Sequence, residues 1–368
     1  MQNNNSRLES LDALRGFDML FIAGLASLVI AVCKLFPGGA DCWLEAQMHH
    51  AVWNGFNHHD TIFPLFIFLA GMSFPYSYAK SIGKGMSKGA IYRKMFVRAI
   101  VLILLGMVCN GVLKFNGSPI RIFSVLERIG VAGLVSSLLF VNLKTSARAV
   151  IAVVILVVYG AVSFIPSPEA PVGTDPFSLE GSIAAYVDRL LFGDHIYKPG
   201  VYEPEGLLST LGAVVTSMMG NFTGEYVRQS SHSGQKKVWM MFAAAALMLV
   251  AGLVLSNWIP LNKKLWSSSF VLVVGAYCVA MFSLFYWIID VKGHRKWAFP
   301  LKVVGMNSIA IYLLQRVMSF QFTVNFFFGG VISKMGEAPG RVLYWGAYLL
   351  LGWLILYLMY KKKIFLKV

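Results

Sequence analysis

Long apolar runs dominate this chain, and short charged stretches separate them. The runs are about 17–22 residues long and carry few or no charges, which is the length that an α-helix needs to cross a bilayer. The pattern therefore predicts an all-α polytopic membrane protein with about ten transmembrane helices in one bundle.

Two of the stretches between the apolar runs are much longer than the others. We expect both termini to face the cytoplasm, which puts the loops of roughly residues 36–57 and 166–206 outside. The second loop is acidic, holds several prolines and is too long for a helix hairpin, so an ordered extracytoplasmic loop is predicted. With no internal repeat visible, residues 1–368 are expected to form a single transmembrane domain. The predicted spans are roughly 14–35, 61–79, 96–113, 120–141, 149–165, 207–227, 238–259, 268–289, 299–318 and 342–360.

Composition and charge agree with a membrane protein and exclude two other classes. Of the 368 residues, 57% are hydrophobic and 13% charged, which no ordinary soluble domain shows. The net charge of +15 comes from Lys and Arg clusters in every second loop, as the positive-inside rule requires of cytoplasmic segments. No basic stripe interleaved with aromatic residues remains, so nucleic-acid binding is not expected.

Ionisable and amide side chains also fall within or beside the apolar runs. Such groups are costly in hydrocarbon, so they must face one another or a water-filled cavity. Some can be structural pairs, such as Glu127 with Arg128. The set comprises Asp12, Arg15, Asp18, His50, Asp60, Glu127, Arg128, Glu225, Asp290, Asn307 and Arg316.

The densest chemistry lies in HHAVWNGFNHHD, from His49 to Asp60, directly before the second span. Histidine titrates near neutrality and suits a general base, and a neighbouring carboxylate can orient its ring. A metal site is the alternative for these histidines, but no HExxH or CxxC spacing supports it, so no metal is expected. Trp53 can equally be an ordinary interfacial anchor.

A series of motifs along nearly the whole chain resembles the heparan-alpha-glucosaminide N-acetyltransferase family. The strings are RLESLDALRGFDM from Arg7, HAVWNGFNHHDTIFPLFIFLAGMS from His50, VLERIG from Val125, YEPEGLLSTL from Tyr202, IPLNKKLWSSSFVL from Ile259 and GMNSIAIY from Gly305. Their order and spacing make the resemblance specific. The resemblance implies a bacterial member of the family, and we expect it to lack the luminal N-terminal domain of the animal enzymes.

The resemblance implies an acetyl-CoA-dependent acyltransferase with His50 as the catalytic histidine and Asp60 as its carboxylate. We favour His50 as a general base over a nucleophile that forms acetyl-imidazole. Asn54 and Asn307 are our candidates for donors to the developing oxyanion.

Substrate contacts are predicted at both faces. Arg15, Arg93, Lys94 and Arg98 are the candidates for the phosphates of acetyl-CoA at the cytoplasmic side. An amino-sugar or glycan acceptor is expected outside. Its candidate contacts are Glu205, Asp188, Asp194 and Trp53.

The resemblance further suggests the bacterial inner membrane as location and a homodimer as assembly. Two alternatives stay open: an O-acyltransferase of envelope polysaccharide, which shares this layout but uses a hydroxyl acceptor, and a secondary transporter. The transporter is less favoured because no pair of interrupted helices is visible in corresponding halves.

Overall fold

The computed structural model describes residues 8–114, 119–229 and 231–366, so Arg7, where the first motif begins, lies outside the described residues. Fifteen α-helices and no β-strand occur within these ranges. Two isolated bridges, Pro166 with Ser182 and Lys198 with Tyr202, both lie in the long acidic loop. The all-α prediction is confirmed.

The helices are numbered in chain order. The first eight are α1 (Glu9–Leu20), α2 (Ala26–Cys33), α3 (Trp43–Gln47), α4 (Ile62–Gly83), α5 (Lys88–Cys109), α6 (Val125–Asn142), α7 (Thr145–Val162) and α8 (Ile183–Phe192). The others are α9 (Leu207–Gln229), α10 (Gly234–Leu255), α11 (Ser268–Tyr286), α12 (Phe299–Gly305), α13 (Ser308–Val317), α14 (Phe320–Ile332) and α15 (Glu337–Lys361).

Seven segments of the described ranges are long and apolar enough to cross a membrane. An eighth results if α12 and α13, which are bent by 55° at a short break, are taken as one span. Helices α5 and α9 have 22 and 23 residues but are more polar, α5 because of its early Lys and Arg and α9 because of its Ser and Thr. The count of about ten spans and the cytoplasmic termini stay predictions.

The centre of the bundle is formed by α4, α9 and α11. Of the apolar windows, those in the segments His58–Gly83 and Ser268–Val291 are both 61% buried, against 22% for α10 and 11% for α15. Helix α9 packs on α4 and α6, and α10 covers the outer side of α11. The N-terminal helix α1 packs on α12, and the C-terminal helices α14 and α15 pack on each other. Polar side chains of the central helices are therefore shielded from lipid.

Glycines in α9 allow its backbone to pack directly against that of α4. A Cβ added at Gly220 would lie 2.0 Å from the backbone oxygen of Phe68, and one at Gly224 would lie 2.4 Å from that of Met72. Small residues at such contacts replace side-chain bulk with direct backbone packing, which is the usual basis of helix association in membranes.

The long acidic loop is tied to the bundle by ion pairs. Arg121, ahead of α6, contacts both Glu203 and Glu205, and Arg189 of α8 pairs with Glu169 at 2.7 Å. The Glu203 side chain is fully buried, so its charge depends on the arginine. The Arg121 pairs hold the segment before α9 next to the start of α6, and the Arg189 pair joins α8 to another part of the loop.

We expect Gly220→Ala to destabilise the protein by about 1–3 kcal/mol, because the added methyl group forces α9 away from α4. Thermal unfolding of the detergent-solubilised protein measures the loss. Gly133→Ala in α6 is the matched control, since an added Cβ there meets nothing within 4 Å. Equal melting temperatures for the two variants would contradict the close contact.

Candidate active site

The structure joins His50 to Asp60 at the start of α4. The Nδ1 atom of His50 lies 2.8 Å from Oδ1 of Asp60, whose side chain is 1% exposed. A carboxylate can only accept, so Nδ1 carries the proton and Nε2 keeps its lone pair. His50 is 48% exposed and thus accessible as a base.

The same carboxylate organises the turn that carries the histidine. Its Oδ2 atom accepts from the backbone N–H of Ala51 at 3.2 Å and of Asn57 at 3.1 Å. Gly55 within this turn has φ of 133°, a conformation that favours glycine, and its N–H donates to the carbonyl of Leu261 at 2.8 Å. The turn is therefore fixed both to α4 and to a segment more than 200 residues away.

That distant segment is the connection between α10 and α11, and its fixed point is Asn262. The Asn262 side chain donates to Oδ1 of Asn54 at 2.9 Å and accepts from the N–H of Leu265 at 2.9 Å. Asn262 is completely buried, and its backbone N–H donates to Ser267 at 3.2 Å. One amide side chain thus connects the WNG turn to the NKKLW segment.

Lys263, the next residue, reaches the pair of His50 and Asp60. Its ammonium lies 3.2 Å from Nδ1 and 3.3 Å from Nε2 of His50, and 4.0 Å from Oδ1 of Asp60. Burial lowers the pKa of Lys263 to about 8, and Asp60 opposes the shift. Sequence reasoning did not single out Lys263; the available signal was its place in the IPLNKKLW string.

A cavity of about 600 Å³ opens beside this cluster. It is called the outer cavity, and the one toward the opposite end of α4 the inner cavity, after the topology that the sequence predicts. His50 and Lys263 line the outer cavity, and the apolar residues of its wall come mainly from α1, α2 and the segment that joins them, and from α4, α6, α13 and α15. The charged or polar residues of the lining also include His49, His59, Glu205, Gln315 and Arg316.

An inner cavity of about 650 Å³ lies toward the opposite end of α4. Three of the predicted phosphate contacts, Arg15, Lys94 and Arg98, line it, whereas Arg93 does not. Sequence reasoning missed three further basic lining residues, which it had treated only as part of the positive-inside pattern: Lys80, Lys84 and Arg228. Residues that line both cavities are Phe66, Leu126, Ile129, Ser308 and Ile309.

The predicted acidic contacts lie in three different environments. Glu205 lines the outer cavity but pairs with Arg121. Asp188 is 2% exposed and accepts from the N–H of Leu207 at 2.9 Å, and burial raises its pKa to about 7. Asp194 is exposed and does not line the cavity. Of the three, only Glu205 is placed to meet a molecule beside His50.

Two predicted oxyanion donors are not among the residues that line the outer cavity. Asn54 accepts from Asn262, as described above. Asn307 donates to the carbonyl of Ile364 at 3.0 Å and accepts from the N–H of Leu366 at 3.1 Å, so it joins the break between α12 and α13 to the C-terminal segment. The structure thus gives both amides structural partners. Trp53 likewise donates to the carbonyl of Phe177 at 2.7 Å and packs on Tyr202, which ties the turn to the acidic loop.

The other three histidines of the motif each contact a different side chain. His49 pairs with Glu45 at 2.9 Å, His58 contacts the hydroxyl of Tyr277 at 3.2 Å, and His59 packs on the ring of His50. Within the described ranges, no three His, Cys, Asp or Glu side chains are grouped as metal ligands.

Fold and site together define a helical, multi-pass membrane protein with a histidine–carboxylate pair that opens to a cavity. The model of the family described as heparan-alpha-glucosaminide N-acetyltransferase, catalytic, matches residues 7–169. Human heparan-alpha-glucosaminide N-acetyltransferase is 28% identical over 98% of this chain, and the mouse protein is 27% identical over 100%. Both comparisons confirm the resemblance to this family. The chain spans 60% of the length of the human relative and 61% of the mouse relative.

We expect Asn262→Ala to lower stability by about 1–3 kcal/mol, because it leaves the buried N–H of Leu265 without its acceptor. Thermal unfolding in detergent measures this loss. Asn257→Ala is the control, since Asn257 is exposed and its side chain bonds only the carbonyl of Val254. A melting temperature of Asn262→Ala equal to that of the control would contradict the connecting role of Asn262.

Proposed function

We propose that this chain is a transmembrane N-acetyltransferase that carries acetyl from cytoplasmic acetyl-CoA to the amino group of a glucosamine-type sugar on the far side. The observation that carries the proposal is the pair of cavities, which lie toward opposite ends of α4 and share five lining residues. His50 and Asp60 stand at the outer one. The curated relatives, named as N-acetyltransferases, support the reaction class.

The inner cavity suits the nucleotide of acetyl-CoA. Its basic residues come from four different elements, so they surround the opening instead of forming one charged helix face. Arginine binds phosphate through a planar fork of donors, and lysine adds point charge. We assign the phosphates to Arg15, Lys94 and Arg98, with Lys80, Lys84 and Arg228 completing the set.

The depth of this cavity suits the rest of the donor molecule. Its lining runs along α4 from Lys84 to Phe66, and Lys80 alone is about 21 Å of helix from Phe66. Phe66 lies one turn beyond the first residue of α4, close to Asp60. A pantetheine arm that follows this route brings its thioester to the wall shared with the outer cavity, while the charged nucleotide stays out of the hydrocarbon.

The outer site then supplies the chemistry. Asp60 holds the ring of His50 by Nδ1, so Nε2 accepts a proton from the attacking amine, a contribution of about 10²–10⁴-fold in rate. Positioning of both substrates in one membrane-embedded site supplies much of the remainder. Glu205, the predicted acidic contact that lines this cavity, is our candidate for the ammonium or hydroxyl groups of the acceptor.

The proposal also covers the membrane location, the assembly and the domain organisation of the protein. A lipid bilayer is the partner of the exposed apolar helix faces, and the bacterial inner membrane is the proposed location. A homodimer and a single domain over residues 1–368 are retained from the sequence as proposals.

We expect purified protein to transfer radiolabelled acetyl from acetyl-CoA to glucosamine, and His50→Ala to lower the rate about 10²–10⁴-fold. His294→Ala is the control, because this histidine is exposed and outside both cavities. N-acetylglucosamine serves as the matched acceptor, since its amine is blocked and its hydroxyls are free. Equal labelling of both sugars would refute amine transfer and favour an O-acyltransferase; no labelling of either would refute acetyl transfer to this sugar.

We expect Arg98→Ala to raise KM for acetyl-CoA about 10- to 100-fold, which is the loss of one charge-assisted hydrogen bond. Arg93→Ala is the control from the same helix, because Arg93 lies outside the inner cavity. Initial rates at varied acetyl-CoA and saturating glucosamine give both KM values. An unchanged KM in Arg98→Ala would remove Arg98 from the donor site.

A further inference from the structure

We propose that Lys263 is a second catalytic side chain of the outer site, whose ammonium binds the carbonyl oxygen of the thioester and stabilises the negative charge that forms there. The inference rests on the proposed acetyl transfer. It replaces Asn54 and Asn307 in the role of oxyanion donor.

The position of Lys263 is the first argument. Its ammonium stands 3.3 Å from Nε2 of His50, the atom that acts as base, and the side chain lines the outer cavity. An acyl carbonyl under attack by an amine that His50 deprotonates must lie within a few ångströms of that nitrogen. The nearly equal distances from the ammonium to both ring nitrogens place it beside the ring and not in line with one lone pair.

Its hydrogen bonding is the second argument. Lys263 has three N–H donors, yet within the described residues the acceptor within hydrogen-bond distance of its ammonium is Nε2 of His50 alone, because Nδ1 carries the proton that is donated to Asp60. Asp60 stands 4.0 Å away and already accepts from His50, Ala51 and Asn57. A lysine kept mainly as an ion-pair partner would lie closer to its carboxylate. Donor capacity is therefore left for a molecule in the cavity.

The rigidity of its backbone is the third argument. Asn262 connects this segment to the turn of His50, and Ser267 donates its N–H to the carbonyl of Asn262 at 3.1 Å. Trp266, with φ of 51°, is buried and donates to Thr216 at 3.1 Å. A non-glycine residue held in this conformation shows that the surroundings determine the segment. Preorganised donors of this kind stabilise transition states without rearrangement.

The transfer step balances with these two side chains. The neutral amine forms the C–N bond, the π electrons move to the carbonyl oxygen held by Lys263, and Nε2 of His50 accepts the N–H proton. The carbonyl then re-forms, the C–S bond breaks with its electron pair on sulfur, and the sulfur takes the proton from His50. The products are the amide and the CoA thiol.

If the Lys263 ammonium takes part in catalysis, the activity should depend on its protonation and therefore on pH. The ammonium is present below the pKa of Lys263, about 8, and is lost as pH rises through that value. Activity that needs the ammonium therefore falls on the alkaline side. The charged or titratable groups that face Lys263 are His50, His59 and Asp60 from the turn, Glu205 from the segment before α9, Arg128 from α6 and Lys264 from its own segment.

The test compares Lys263→Met and Lys263→Arg with the wild type. We expect Lys263→Met to lower kcat about 10²–10³-fold, the usual loss of one oxyanion donor. Lys263→Arg should recover part of the rate and lose the decline near pH 8, because arginine stays charged. Lys292→Met is the matched control: its ammonium lies over Trp287 and it lines neither cavity, so its rate should stay within about twofold of wild type.

A second measurement does not depend on turnover. Infrared difference spectra of acetyl-CoA labelled with ¹³C at the thioester carbonyl, bound to His50→Ala, should show a carbonyl band shifted to lower frequency by the ammonium. The shift should disappear in the double variant His50→Ala, Lys263→Met. An unshifted band in the parent variant, or the same band in both, overturns the role of Lys263.

Failure of the two proposals can be told apart. A shifted band that needs Lys263, without labelling of glucosamine, keeps Lys263 and rejects the acceptor. Labelling of glucosamine with an unchanged rate in Lys263→Met keeps acetyl transfer and rejects Lys263. If the rate of Lys263→Arg declines near pH 8 as the wild-type rate does, the proposed role of the Lys263 ammonium is also rejected.

Discussion

The buried carboxylate of Asp60 is the interaction on which the outer site depends. It accepts from the ring of His50 and from the backbone N–H groups of Ala51 and Asn57, while its side chain is 1% exposed. A buried charge without such donors would cost several kcal/mol, so the turn must close around it. Closure of the turn fixes the ring of His50 and brings Gly55 to the carbonyl of Leu261, which positions the segment of Asn262 and Lys263.

The membrane sets a second condition, because donor and acceptor approach from different aqueous phases under the proposed function. The basic inner cavity is lined by α4 residues from Phe66 to Ser81, whereas the outer cavity meets α4 only in its first turns, from Ile62 to Phe66. Their shared wall is mainly apolar: Phe66, Leu126, Ile129 and Ile309 contribute to it, with Ser308 as the polar member. Under the proposed function, the apolar side chains of this wall suit the pantetheine arm, and the charged nucleotide stays in the basic cavity.

The sequence predicts the helical membrane fold and the pair of His50 with Asp60, because apolar runs and the twelve-residue motif from His49 to Asp60 are local signals. It does not predict the break between α12 and α13, where Asn307 bonds the C-terminal segment, or the short helix α14. The role of Lys263 also could not be predicted from the sequence, since 213 positions separate it from His50. Tertiary contacts, such as those of Gly55 with Leu261 and of Asn54 with Asn262, bring the two residues together. Long-range pairing of this kind leaves no periodicity in the sequence.

Charge in the acidic loop shows why residue type alone misleads about binding. The loop is rich in carboxylates, which suggests a site for an ammonium sugar, yet most of that charge is used within the fold. Glu203 is neutralised by Arg121, and Asp188 caps the first turn of α9 through the N–H of Leu207. Glu205 alone of the predicted acidic contacts lines the outer cavity, and it does so beside Lys263 and Arg316. Because Glu205 is already paired with Arg121, under the proposed function it suits a hydroxyl group of the acceptor better than an ammonium group, and the amino sugar reaches His50 as the neutral amine. That is the form in which its nitrogen is a nucleophile.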